Sequence, residues 1–246
     1  MSINNWEILK NRINFFREQI YFWWRDDDMR EGSPDLLNPF IRSLTLLDKY
    51  NVPSVIAAIP KGLSREAIAV VGQYKNAYVY MHGISHKNNG DAQGPNEFPP
   101  GRDISNIIPQ FAKYKKRFED IFGDKFIPVF APPFNAVNCD LEKELRKLGF
   151  IGISGHSSLT KDSLYNVSVD FIKWDLSDSF YTEDYVLERI ICLLDDGKPI
   201  GFMNHPKTIG EKGFVFIEKL MDFFCCFTNV KWFVPGAESW GRDRDD

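Results

Sequence analysis

Short apolar blocks alternate with amphipathic stretches along almost the whole chain. Trp6, Leu9, Ile13 and Phe16 recur at helical spacing and predict a short helix over residues 2–19 that covers one end of the core. Residues 20–25 read as a buried aromatic strand that ends in Asp26-Asp27-Asp28. Ser33-Pro34 then opens a helix, with Leu36, Leu37, Phe40, Ile41, Leu44 and Leu47 on its apolar face and Asn51 at its end. Further strands are predicted over 52–59, 77–81, 127–130, 150–153, 167–174, 199–203 and 230–234. Helices fall between them over 64–74, 105–122, 139–148, 182–195 and 211–226.

Strand and helix thus alternate seven or eight times, which calls for parallel strands with helices outside. No Gly-rich phosphate turn follows the first strand, so a barrel fits better than an open nucleotide-binding sheet. The expected fold is α/β, a distorted or incomplete (β/α) barrel of seven to eight parallel strands. No linker divides the chain, so residues 1–246 are expected to form one domain, with 1–19 as a covering helix and 241–246 as a frayed tail. A polar loop over 87–103, rich in Gly, Pro and Asn, is long for a compact domain and is expected to be functional.

Composition narrows the function. The 246 residues are 43% hydrophobic and carry a net charge of -4, which argues against a nucleic-acid partner. No run approaches the ~20 apolar residues of a membrane span. Met1-Ser2-Ile3-Asn4-Asn5-Trp6 shows no basic segment followed by an apolar core, so a cytoplasmic protein is expected. Cys139, Cys192, Cys225 and Cys226 include no Cys-x-x-Cys pair and are expected to be reduced core thiols.

The candidate chemistry gathers at the strand ends. Asp26, Asp27 and Asp28 follow the first strand, and one acid would satisfy a helix cap where three stand. His82 and His86 follow the third strand, Pro132-Pro133-Phe134-Asn135 the fourth, Trp174-Asp175 a later one, and His205 the next to last. In a parallel barrel these ends share the face where such folds place their chemistry. Two histidines four residues apart reach one ion only if the chain turns there, and Gly83 permits a turn. Two neutral His and a carboxylate form a common hydrolytic metal set, suited to zinc and also to cobalt, nickel or iron. His156, beyond the short fifth strand, reads equally well as a loop residue bonded locally.

The order of these motifs resembles the polysaccharide deacetylases, carbohydrate esterase family 4. The matching segments are Arg25-Asp26-Asp27-Asp28, His82-Gly83-Ile84-Ser85-His86, Ala131-Pro132-Pro133-Phe134 and Asn204-His205-Pro206, over about residues 20 to 236. The resemblance implies one divalent metal, zinc first, held by Asp28, His82 and His86. It implies Asp27 as general base, His205 as general acid, and an acetylated sugar as substrate, N- or O-linked. A shifted assignment to Asp26 and Asp27 remains open. Pro133, Phe134, Asn135, Trp174 and Arg102 are the expected substrate contacts. Three departures stand out: Ala131 replaces the arginine that orients the base, Met29 replaces a glycine after the acids, and the 87–103 loop is unusual. Arg25 or Arg102 would have to supply the missing charge. A non-catalytic glycan-binding relative is the alternative.

Overall fold

The structure is a computed structural model that describes residues 4–92, 94–156, 164–175 and 179–237; the side chain of Cys139 and the 241–246 tail lie outside the described residues. Helix α1 (Asn5–Phe15) opens the chain, capped by the Asn4 side chain on Glu7 N. Strand β1 (Ile20–Met29) follows, then α2 (Pro34–Lys49), β2 (Ser54–Ala58), α3 (Arg65–Gln73) and β3 (Ala77–His82). After the long loop come α4 (Ile108–Phe122), β4 (Phe126–Ala131), α5 (Cys139–Lys147) and β5 (Gly152–Ile153). The rest is β6 (Val169–Asp170), β7 (Ile172–Lys173), β8 (Ser179–Phe180), α6 (Glu183–Leu194), β9 (Ile200–Asn204), α7 (Gly210–Phe224) and β10 (Val230–Trp232).

The main sheet runs β5-β4-β3-β2-β1-β9-β6, all parallel, with β10 added to the first residues of β1. It curls so that its two ends meet without a full ladder. His156 and Val167 form a single parallel bridge there, and Val167 N–H donates to Gly155 O at 2.9 Å. This is the expected distorted (β/α) barrel. The strand expected over 167–174 is broken: β6 joins the barrel, while β7 leaves it to pair antiparallel with β8. Cys192, Cys225 and Cys226 are free and exposed, so they are not core thiols.

Alternation along the strands sorts the core into layers. Phe22 and Trp24 face the helices, among the side chains of α1, α6 and α7. Trp23, Val55, Ala57, Tyr80, Val129, Ala131 and Met203 fill the barrel interior. Each large buried side chain contributes roughly 1.5–3 kcal/mol from apolar burial. At the N-terminal end the interior is closed by Phe233 and Val234, and Tyr80 donates to Pro235 O at 2.6 Å. The open end is the C-terminal one. There the inward register of three strands runs from apolar to chemical residues: Trp23, Arg25, Asp27 on β1; Tyr80, His82 on β3; Met203 on β9, then His205. No helix among the described residues is long and apolar enough to cross a membrane.

Candidate active site

A cavity of about 360 Å³ opens at this end, lined by Asp27, Asp28, His82, His86, Pro95, Pro132, Phe134, Asn135, Trp174 and His205. Its size is at the small end of ligand pockets. Neighbouring residues of a regular strand point to opposite faces, yet Asp27 and Asp28 both reach the cavity. The backbone explains this. Asp28 has φ 74, and the pairing of β1 with β2 slips between Asp27 and Met29. This bulge turns Asp28 inward, and Met29 resumes the outward register, fully buried among Leu37 and Phe40. The left-handed turn falls on the acid itself, so no glycine is needed after it.

Asp26 takes no part in the cavity. Its carboxyl accepts from Trp24 Nε1 (2.9 Å), Ser43 Oγ (2.7 Å) and Asn204 Nδ2 (2.7 Å), on the helix side of the sheet. Complete burial pushes its pKa up to about 6, against the pull of these three bonds. The acids in the cavity are therefore Asp27 and Asp28.

His82 ends β3, and its Nδ1 lies 2.9 Å from Ala131 O. A carbonyl only accepts, so Nδ1 carries the hydrogen and Nε2 presents its lone pair. That Nε2 lies 3.2 Å from Asp28 Oδ1, and His86 Nε2 lies 3.1 Å from the same oxygen. The turn between the histidines is not helical. Gly83 (φ 61) and His86 (φ 55) are both left-handed, and the two rings come within 5.0 Å between centroids. Burial works against charge on His82, but the Asp28 bond outweighs it and the pKa rises. Burial and the His82 charge lower that of His86. Asp28 sits well below the usual carboxylate range despite its burial, because His82, His205 and His86 surround it.

Nitrogen lone pairs turned on a carboxylate oxygen need a cation or a proton between them. The three donor atoms lie within 4.8 Å of one another, the one such group among the described residues. Tetrahedral ligands about 2.0–2.1 Å from zinc stand ~3.3 Å apart, so the donor set fits one small divalent ion.

Arg25 supplies a cation to Asp27. It is fully buried, and its fork grips Asp27, Nε to Oδ1 at 2.7 Å and Nη2 to Oδ2 at 2.7 Å. Its Nη1 donates to Ser154 O (2.6 Å) and Ser154 Oγ (2.7 Å) across the barrel. Arg102 does not line the cavity. Its guanidinium donates to Glu97 O and lies over Phe98, 5.7 Å from the ring centroid. Pro133 is buried behind the cavity, and Pro132 takes its place in the wall. Phe134 (φ 59) packs against His86 with the rings tilted by 54° and their centroids 4.6 Å apart. Trp174 is half exposed at the rim, 4.6 Å from His205 edge to face, with Nε1 donating to Asp170 Oδ2 at 2.8 Å.

His205 Nε2 stands 3.9 Å from Asp27 Oδ2. Burial lowers its pKa, while Asp27 and Asp28 pull the other way. Its Nδ1 and the Oδ1 of Asn135 are buried without a hydrogen-bond partner in the protein. Two residues at or beside the cavity were not anticipated from sequence. Pro95 forms part of the wall, and Glu97 is buried beneath the His82–His86 turn. Nothing local to either residue signals these positions, because the loop's path decides them.

No family model matches the chain, and no curated protein matches it. Solved structures do. A Mycobacterium smegmatis protein assigned as a polysaccharide deacetylase superposes with a TM-score of 0.64 at 17% identity, over 89% of this chain and 87% of that one. A family 4 acetyl xylan esterase from Clostridium thermocellum, in complex with a cobalt ion, gives 0.52 at 14% identity over 82% and 83%. A family 4 pseudoenzyme from Bacillus anthracis gives 0.55 at 16% identity over 84% and 62%. At such identities the likeness is one of fold, and the chain has the fold of the polysaccharide deacetylases of carbohydrate esterase family 4.

Proposed function

We propose that this chain is a metal-dependent hydrolase that removes an acetyl group from an N- or O-acetylated sugar. The observation that carries the proposal is the convergence of Asp28, His82 and His86 beside an Arg25-held Asp27 in one cavity. Asp28, His82 and His86 would hold one divalent ion, zinc by donor type, which would polarise the acetyl carbonyl and lower the pKa of water toward about 7. Asp27 is the general base. The Arg25 fork fixes its two oxygens, so the carboxylate is oriented to accept a proton as water attacks. At the left-handed turn the Phe134 N–H would serve the developing oxyanion, since those of Asn135 and Ala136 already donate to the Pro132 and Pro133 carbonyls. His205, across the cavity, gives a proton to the departing nitrogen or oxygen. Phe134 and Trp174 supply flat apolar walls for the ring, and Asn135 adds a polar side chain to the lining.

A second reading is a glycan-binding protein that kept the fold without the activity. Ala131 favours it, since the family's arginine is missing there. Arg25 weakens it, since Asp27 has its cation from its own strand, β1. The test is an acetate-release screen on N- and O-acetylated oligosaccharides with zinc- or cobalt-loaded protein. Release by wild type and none by Asp27→Asn supports hydrolysis; binding of the same glycans without release supports the alternative.

A further inference from the structure

The loop over residues 87–103 sends one acid back under the metal-ligating turn. Glu97 is 2% exposed. Its Oε2 accepts from Ile84 N at 3.2 Å, and its Oε1 accepts from Ser85 N and Ser85 Oγ, both at 2.8 Å. Ile84 and Ser85 lie between His82 and His86. The two histidines are held differently. His82 belongs to β3 and is pinned by Ala131 O. His86 lies beyond the strand, in a left-handed conformation that is unfavourable for a residue with a Cβ, so its place depends on what fixes the turn. Glu97 does that by taking up three of the turn's donors.

The clamp is itself anchored. Next to it, Phe98 is buried against Phe111 and Phe130. The Glu97 carbonyl accepts from Asn89 Nδ2 at 2.9 Å and from Arg102 Nη1. There is no slack at the contact: a Cβ on Gly83 would fall 2.1 Å from Glu97 Oε2 and 2.4 Å from Pro133 Cγ.

We infer that Glu97 is a positioning residue that holds His86 in ligating geometry, so that the 87–103 loop sets the metal affinity of the site. The inference rests on the metal-site assignment above. Arg102 then acts one step back, by fixing Glu97.

The test is calorimetric titration of zinc, and of cobalt with its visible spectrum, into metal-free wild type, Glu97→Ala, Glu97→Gln, His86→Ala and Glu97→Ala/His86→Ala. Circular dichroism and the thermal midpoint establish that each variant is folded. Glu97→Ala is expected to bind about 10–100-fold more weakly, as removal of an orienting partner does. Glu97→Gln keeps one acceptor oxygen and should lose less. The cobalt spectrum of Glu97→Ala should move toward that of His86→Ala. In the His86→Ala background, Glu97→Ala should add less than about twofold, because its effect passes through His86. A folded Glu97→Ala with wild-type affinity, or losses that multiply in the double variant, overturns the inference and leaves the metal site standing. If Glu97→Ala does not fold, wild-type affinity in Glu97→Gln overturns it equally. A wild type that takes up neither ion overturns the metal-site assignment itself, and the inference with it.

Discussion

Replacing Arg25 by Met removes the cation from a carboxylate that has lost nearly all its water. The Arg25 and Asp27 side chains are 0% and 3% exposed, so solvent does not screen the pair. Two short bonds to Asp27 and two to Ser154 disappear together. Breaking a buried pair from one side costs about 3–5 kcal/mol, chiefly because the remaining charge is stranded. At about 2–4 °C per kcal/mol for a domain of this size, the midpoint should fall by roughly 6–20 °C. The assay is thermal and urea unfolding of wild type, Arg25→Met, Asp27→Leu and the double variant. The double variant removes both charges, so it should lose less than the sum of the singles by at least about 2 kcal/mol. Arg25→Lys should fold better than Arg25→Met yet release acetate slowly, because an ammonium cannot grip both oxygens and Ser154 at once. Singles that add to the double within about 0.5 kcal/mol would refute the idea that Arg25 and Asp27 act as a unit.

Other outcomes follow from the same geometry. Asp27→Asn should still bind one divalent ion by calorimetry while acetate release falls by about 10²–10⁴-fold, the usual contribution of a general base. The folded-state pKa of Asp26 is about 6 against an ordinary 3.8, so between those values the native state keeps a proton that the unfolded chain has released. The contribution of Asp26 to stability should therefore be greatest below about pH 4, fall as pH rises toward 6, and stay at the lower level above. This one group costs roughly 3 kcal/mol, at about 1.4 kcal/mol per pKa unit. Urea unfolding of wild type and Asp26→Asn across that range should show a shallower slope for the variant; equal slopes would exclude Asp26 as the source. Gly83→Ala, which drives a methyl into Glu97 and Pro133, should destabilise the fold and weaken zinc binding together in paired melting and calorimetric runs.

The barrel was legible because its strands are continuous apolar runs and its helices carry clear apolar faces. The face that bears the site was legible for the same reason, since parallel strands share one C-terminal end. What escaped was decided by backbone turns and long-range contacts. The acids looked as if they followed β1, whereas β1 runs through them to Met29, and the bulge at Asp28 selects which two acids enter the cavity. Arg25 was within reach of pattern reasoning: residues two apart on a strand share a face, so Arg25 and Asp27 had to be neighbours. Arg102 and Glu97 lie in a loop without periodicity, and its path keeps Arg102 out of the cavity wall and brings Glu97, for which no role was expected, beneath the His82–His86 turn. Pro133 and Pro132 exchanged places because a 3-10 turn begins there. The strand expected over 167–174 broke because Ile172 and Lys173 find their partners in Phe180 and Ser179, outside the barrel.

Metal-dependent deacetylation stands or falls on acetate release from N-acetylated oligosaccharide by metal-stripped protein, before and after one equivalent of zinc or cobalt is returned. No release is expected from the stripped protein and restored release on addition, with His82→Ala inactive throughout. The same rate with and without metal, or no release in either state from any acetylated sugar, would contradict it.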